Sequence, residues 1–309
     1  MRYYFAPMEG LTDQVYRQLH RQYFPGLDRY YTPFFSPTVH RALTPREARE
    51  LPPADPTGPE VVPQILTKAP EDFVWMSSQC AQLGYREINL NLGCPSGTVT
   101  AKGKGSGMLR DPAALDRFLE EIFAGSALPI SIKTRIGFSQ PEEFSEILDI
   151  LGKYPICELT VHPRVREDFY KKPLHPEAFR MAWERKIAPL CYNGDVESPA
   201  EAEAIGRQYP GLSAVMVGRG LVKDPGMFTP GGTTAQALEG FMDALFDQYH
   251  QMFGSARNTM FRMKEHWGML VTRFEGSEKL AKQLRKTTDL AHFRDITHQL
   301  LHNHKLRPV

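Results

Sequence analysis

Short β-prone runs recur through about the first 220 residues with helical patterns between most of them, and this alternation restricts the fold more than any other feature of the sequence. Runs at Arg2 to Ala6, Arg29 to Phe34, Val61 to Leu66, Arg86 to Leu90, Pro129 to Thr134, Cys157 to Val161, Ile187 to Tyr192 and Ser213 to Val217 read as strands. Apolar residues at three and four spacing mark helices around Asp13 to Tyr23, Glu71 to Leu83, Pro112 to Phe123, Pro141 to Leu151, Glu177 to Arg185 and Pro199 to Arg207. Repeated strand–helix units build a parallel sheet. Eight strands predict an α/β fold of the (β/α)8 TIM-barrel type, since a doubly wound open sheet ordinarily needs fewer. The stretch Ser36 to Pro63, rich in Pro, Arg and Glu, breaks the pattern and reads as an elaborated loop after the second strand.

Beyond Thr229 the pattern changes. A PGG-rich stretch at 229–234 reads as a linker, and Leu238 to Phe253, Thr259 to Phe274, Ser277 to Thr287 and Leu290 to His304 each show helical spacing without β-type alternation. The expected division is a barrel over 1–228, the linker, and a small all-helical domain over 235–309. With 41% hydrophobic and 24% charged residues, a chain of this length can bury a full core. No run approaches the roughly 18 apolar residues that span a bilayer, and the opening MRYYFAPMEG lacks the layout of a signal peptide, so a cytoplasmic protein with no membrane segment is expected. Cys80, Cys94, Cys157 and Cys191 show no CxxC pairing, which argues against a disulfide framework and a zinc site. No metal is expected, and nothing demands an oligomer. Lys and Arg number 26 against 28 acids in residues 1–234 and 11 against 8 in residues 235–309, so the last part is mildly basic. That asymmetry permits a nucleic-acid face.

A (β/α)8 barrel places its chemistry at the C-terminal ends of its strands. Unusual residues fall there in phase. Pro7-Met8-Glu9-Gly10 follows the first strand, Gln64 sits near the end of the third, Asn91 and Cys94 follow the fourth, and Lys133 and Arg135 close the fifth. His162 and Arg164 follow the sixth, Asn193-Gly194-Asp195 the seventh, and Gly218-Arg219-Gly220 the eighth. The last two sites suit a phosphate, through backbone N–H groups and the donor fork of Arg219. Lys133 can stabilise a ring anion, and Gln64 offers both a donor and an acceptor to a heterocycle edge. A flat, phosphorylated, redox-active ring fits the set, which points to FMN. Cys94, held between Gly93 and Pro95, is presented by its loop, and the following Lys102-Gly103-Lys104-Gly105-Ser106-Gly107 is suited to meet an anion.

At these residues the chain resembles the tRNA-dihydrouridine synthases, flavoenzymes that reduce specific uridines of tRNA. The motifs are APMEGLTD, NLGCPSGTV with GKGSGMLRDP, IKTRIG, TVHPR, NGD and VGRG, and they extend over essentially the whole length. The resemblance implies FMN contacted by Pro7, Met8, Gln64, Lys133, His162, Asn193, Asp195, Gly218 and Arg219, with Glu9 and Gly194 adjoining. It implies Cys94 as proton donor and a helical domain that helps to hold tRNA. Two departures stand out: Pro163 replaces the usual glycine after the strand-six histidine, and Tyr192 replaces a smaller residue.

Reducing the 5,6-double bond of uracil requires a hydride at C6 and a proton at C5. A thiol of ordinary pKa, about 8.5, is mostly protonated at neutral pH and can serve as the acid. Asn91, Lys102, Lys104 and Arg135 are the candidate substrate-binding residues, and NADPH the expected reductant with NADH the alternative. A stacked uridine must be flipped out of the RNA, and Arg110, Arg257, Arg262, Lys264, Lys282, Arg285 and Lys286 are further candidates for the backbone contacts that offset this. Two rivals remain: a small-molecule FMN reductase or dehydrogenase of the dihydroorotate dehydrogenase-like type, and a non-catalytic tRNA-binding protein on the same barrel.

Overall fold

The computed structural model describes residues 1–38 and 40–307. In chain order these form β1 (Arg2–Phe5), α1 (Gln14–Tyr23), β2 (Arg29–Tyr31), α2 (Pro45–Glu50), β3 (Glu60–Val62), β4 (Gln64–Ile65), α3 (Pro70–Gln82), β5 (Ile88–Leu92) and α4 (Gly97–Thr100). Then come α5 (Pro112–Gly125), β6 (Ile130–Arg135), α6 (Glu143–Leu151), β7 (Leu159–His162), α7 (Pro176–Arg185), β8 (Leu190–Asn193), α8 (Pro199–Gln208), β9 (Ala214–Val217) and α9 (Arg219–Lys223). The chain ends in α10 (Ala235–Phe253), α11 (Ala256–Leu270), α12 (Glu278–Lys286) and α13 (Leu290–Asn303).

All nine strands belong to one sheet in the order β3-β2-β1-β9-β8-β7-β6-β5-β4. β3 and β4 are halves of one strand. Pro63, which has no N–H to give a ladder, divides them, so β3 pairs with β2 and β4 with β5. The sheet thereby closes into the expected eight-stranded barrel. Side chains alternate across each strand, and β6 shows the result: Ile130, Ile132 and Thr134 take one face, Ser131, Lys133 and Arg135 the other. α3 and α5 open with Pro70 and Pro112 at their first helical positions, and Asp111 accepts from Ala114 N to cap α5. Both bury an apolar stripe, including Phe73 and Met76 from α3 and Leu115, Leu119 and Ile122 from α5. Each such side chain contributes about 1.5–3 kcal/mol.

At the N-terminal ends of the strands, Arg29 bonds Glu60 at 2.5 Å and Glu87 at 2.9 Å, with Glu158 at 3.5 Å. Glu158 also accepts the Tyr4 and Tyr31 hydroxyls. The Ser36 to Pro63 stretch is not all loop. Thr44 and Glu47 form a reciprocal capping box that starts α2; residue 39 lies outside the described residues.

By contact density the chain divides into two compact units. The first comprises Met1–Pro7, Asp28–Gly194 and Ala202–Met216; the second comprises Met8–Leu27, Asp195–Glu201 and the chain from Val217 onward. In the second unit, α1 packs beside α10. Tyr16 meets Phe241 edge-on at 5.3 Å and stacks on His266 at 5.0 Å. His20 and His266 are wholly buried, and burial pushes both imidazoles down to about 3, so they stay neutral. The helix expected to run to Phe274 stops at Leu270, and Phe274 instead pairs with Leu306 in an isolated antiparallel bridge.

Candidate active site

Parallel register sets neighbouring inward side chains level with one another. Gln64 pairs with Asn89 and Asn89 with Ser131; one layer up, Asn91 pairs with Lys133 and Lys133 with Thr160; above that Arg135 pairs with His162. The lowest of these layers is linked by side-chain amides. Asn89 Nδ2 donates to Ser131 Oγ at 2.8 Å, and Gln64 Nε2 donates to Asn89 Oδ1 at 2.8 Å. Asn91 Nδ2 donates to Gln64 Oε1 at 2.7 Å. This ladder fixes the Gln64 carboxamide and leaves it one N–H and one lone pair.

Asn91 has a second task. Its Oδ1 accepts the backbone N–H groups of Gly93 at 3.0 Å and Cys94 at 2.9 Å, turning the chain as β5 ends. The Cys94 carbonyl then accepts Ser106 Oγ at 2.7 Å and Ser106 N at 3.2 Å. Gly105, at φ +58°, lies so close that a Cβ there would sit 3.0 Å from the Cys94 carbonyl oxygen and 3.1 Å from its Cβ. The glycine-rich loop is therefore a clasp on the half-buried cysteine, and Gly105 has to be glycine.

Arg135 is 1% exposed. It donates from Nε to the Gly93 carbonyl at 3.0 Å and from Nη1 to Val165 at 2.9 Å, tying the loops after β5 and β7 together. Its Nη2 is buried with no hydrogen-bond partner among the described residues. Lys133, half-buried, has its ammonium pushed down to about 8, by burial first and then by Arg135. No ion pair to either cation is found among the described residues. Two adjacent cations with a buried donor left over fit an anionic ring with acceptor atoms.

His162 is buried and its Nε2 lies 3.2 Å from Arg164 Nη1. A guanidinium only donates, so Nε2 accepts and the ring proton sits on Nδ1. Pro163 is at the centre of a three-residue turn closed by Arg164 N to the His162 carbonyl, 2.7 Å. Its fixed φ suits that turn, and its missing N–H goes unneeded there. Tyr170, absent from the residues picked out by sequence, stacks on His162 at 5.9 Å with Arg135 5.0 Å from its ring centroid. Asn89 and Ser131 were also missed. Their signal was strand parity, which puts Asn89 on the same face as Asn91.

Elsewhere in this unit, Asn193 donates to the Met216 carbonyl at 2.8 Å, and a Cβ at Gly194 would press on Leu174 at 3.1 Å. Pro7 is half-buried at the end of β1. Lys104 Nζ donates to Ser36 Oγ at 3.0 Å. Burial holds its ammonium below the usual lysine range, with Asp72 opposing and Lys102 and Lys68 adding to the shift. Lys102 is exposed.

The second unit holds the other candidates. Met8 N donates to Thr12 Oγ1 at 2.9 Å, while the Met8 carbonyl accepts Leu11 N and Thr12 N at 3.0 Å. Gly10 turns with φ +79°, and Glu9 is exposed. Arg262 closes the turn by donating to the Gly10 carbonyl and to Asp13, which also accepts the Tyr249 hydroxyl at 2.9 Å. Arg262 is thus occupied internally, as is Lys264, which donates to the carbonyls of Arg285 and Thr287. Asp195 adopts φ +40° and accepts Arg219 Nη2 at 2.6 Å. Gly218 precedes α9, and Gly220 passes so near the Val196 carbonyl that a Cβ would lie 2.2 Å from it.

A family model described as dihydrouridine synthase matches residues 4–305. The chain is 31% identical over 239 residues to a probable tRNA-dihydrouridine synthase 2 of Bacillus subtilis, covering 72% of this chain and 70% of that protein. It is 29% identical over an alignment of 310 positions to a probable tRNA-dihydrouridine synthase of Staphylococcus epidermidis, covering 94% and 91%. Among solved structures, a point mutant of morphinone reductase in complex with tetrahydroNAD matches with a TM-score of 0.51 at 11% identity, covering 73% of this chain and 85% of that one. Histamine dehydrogenase from Rhizobium sp. 4-9 gives 0.52 at 11%, covering 73% and 45%. At such identity these two show the shared barrel alone.

Proposed function

Since the chain belongs to the dihydrouridine synthase family and is a flavin-dependent oxidoreductase, we propose that it reduces the 5,6-double bond of specific uridines in tRNA. The carrying observation is Cys94, clasped at the end of β5 beside the amide ladder and the Lys133–Arg135 pair. FMN, when bound, supplies the hydride for C6 and is recharged by NADPH or NADH. Gln64 and Lys133 are the residues of the first unit that would hold the ring, with His162, Asn193 and Gly194 adjoining. For Met8, Glu9, Asp195, Gly218 and Arg219 the cofactor role rests on the sequence resemblance, with Arg219 held by Asp195.

Cys94 gives its thiol proton to C5, and the resulting thiolate recovers a proton from solvent. Asn91, whose carboxamide is engaged with Gln64 and the cysteine turn, acts mainly by setting where that thiol stands. Arg135, buried between the loops after β5 and β7, is assigned to holding the cysteine turn at the substrate end of the site, and the exposed Tyr170 supplies a ring face for stacking. Lys102 and Lys104 are assigned to RNA phosphates. The barrel over 1–228 then catalyses and the helical part from 235 helps to hold tRNA, in a cytoplasmic protein that works as a monomer without a metal. No helix among the described residues is long and apolar enough to cross a membrane.

Cys94→Ala should keep its flavin spectrum and its bleaching by NADPH yet form no dihydrouridine in tRNA. Turnover equal to wild type would remove Cys94 from the mechanism. Turnover of dihydroorotate or free uracil without tRNA would favour the small-molecule reading, which no feature of this site prefers.

A further inference from the structure

The second unit contains a cavity of about 540 Å³ that the reaction above does not use. Its wall includes Asp224, Arg273, Lys305, Arg307 and the glycines at 231 and 232. The bridge between Phe274 and Leu306 is flanked by Arg307 N to the Arg273 carbonyl at 2.8 Å and Glu275 N to the Lys305 carbonyl at 2.9 Å. Antiparallel pairing therefore sets Arg273 opposite Arg307, and puts Lys305 and Arg307 on one face of the ladder. Like charges directly opposite each other are destabilising.

Half of that conflict is settled within the chain. Arg273 lies 3.4 Å from Asp224, whose carboxylate is almost fully buried and also accepts the Thr233 hydroxyl. No ion pair to Lys305 or Arg307 is found among the described residues, and Glu275, across from Lys305, makes none with it. Two cations thus line an open cavity beside a third that is already neutralised. Gly231 and Gly232 have φ of +88° and +72°, with nothing within 4 Å of where a Cβ would stand, so this wall is bare backbone that a ligand can approach closely.

We propose that this cavity is a second phosphate site, taking a phosphate through Lys305 and Arg307 while Asp224 holds Arg273 in place. The arginine fork and the lysine point charge suit a phosphate oxyanion, and the volume leaves room for the attached sugar. The phosphate comes from the tRNA backbone or from the nucleotide reductant. That choice of source rests on the proposed tRNA reductase activity; the anion site itself does not.

The test uses the full chain saturated with FMN, as wild type and as Lys305→Ala/Arg307→Ala, with Lys305→Gln as a milder variant should the pair fail to fold. Inorganic pyrophosphate should raise the melting temperature of wild type and lose that effect in the variant, which would establish the site. If the phosphate belongs to tRNA, affinity at low salt falls about tenfold in the double variant and the log–log salt slope becomes shallower by about 1.5, with flavin bleaching by NADPH unchanged. If it belongs to the reductant, preference for NADPH over NADH drops and tRNA affinity holds. Equal responses of wild type and variant in all three measurements overturn the proposal. A pyrophosphate shift without dihydrouridine formation by wild type would instead sink the tRNA reading and leave the site standing.

Discussion

Cys94 is held by backbone as much as by side chains, and Gly105 shows how tightly. Gly105→Ala places a methyl 3.0 Å from the Cys94 carbonyl oxygen in a left-handed backbone. A cost of roughly 1–2 kcal/mol in urea unfolding is expected, together with a fall in dihydrouridine formation of about tenfold or more from a displaced acid. An unchanged rate would show that the clasp is dispensable. Lys133 allows a test in pH. Its folded value is about 8 against an ordinary 10.5, so between those values the unfolded chain binds the extra proton. The stability of FMN-free protein should therefore rise from about pH 8 toward 10.5, by at most about 3 kcal/mol. Melting curves of wild type and Lys133→Met across that range check it, since the rise should vanish in the variant. That polar residues such as Gln64, Asn91, Lys133 and His162 sit on the barrel strands was legible because the fold dictates where to look. The task of Asn91 was not, since a carboxamide facing a pocket and one bonded to its own loop read alike in sequence.

At the scale of elements, periodicity located the strands and helices because each buries a continuous stripe. It missed α2, which buries none of its own residues and is marked only by the Thr44 to Glu47 cap. It also missed the split between β3 and β4, although Pro63 was the sign of it. The turn before α1 depends on a residue more than two hundred positions away. Arg262→Ala would leave the Asp13 carboxylate without its cation, and a loss of about 3 kcal/mol or more in denaturant unfolding is expected. Arg262 was readable from sequence as a basic residue but not as an internal one, because its partner lies so far along the chain.

For the whole molecule, a net charge of +1 says little about partners, and the distribution says more. Lys282, Arg285 and Lys286 are exposed on α12, whereas Arg262 and Lys264 are engaged inside the second unit. Replacing the three α12 cations by Ala should make the salt slope of tRNA binding shallower by about two, with the melting temperature little changed. A slope equal to wild type would remove this helix from the tRNA face. The loop from Lys102 to Gly107 has two ends: Lys102 is exposed and Lys104 bonds Ser36, while Gly105 and Ser106 clasp the backbone at Cys94. With the lysines on RNA as proposed above, a pull on them would pass along this short loop to the clasp. A mismatched RNA could then be gripped yet go unreduced, so that discrimination falls at the protonation step, after binding, and a poor substrate would betray itself in kcat and not in KM.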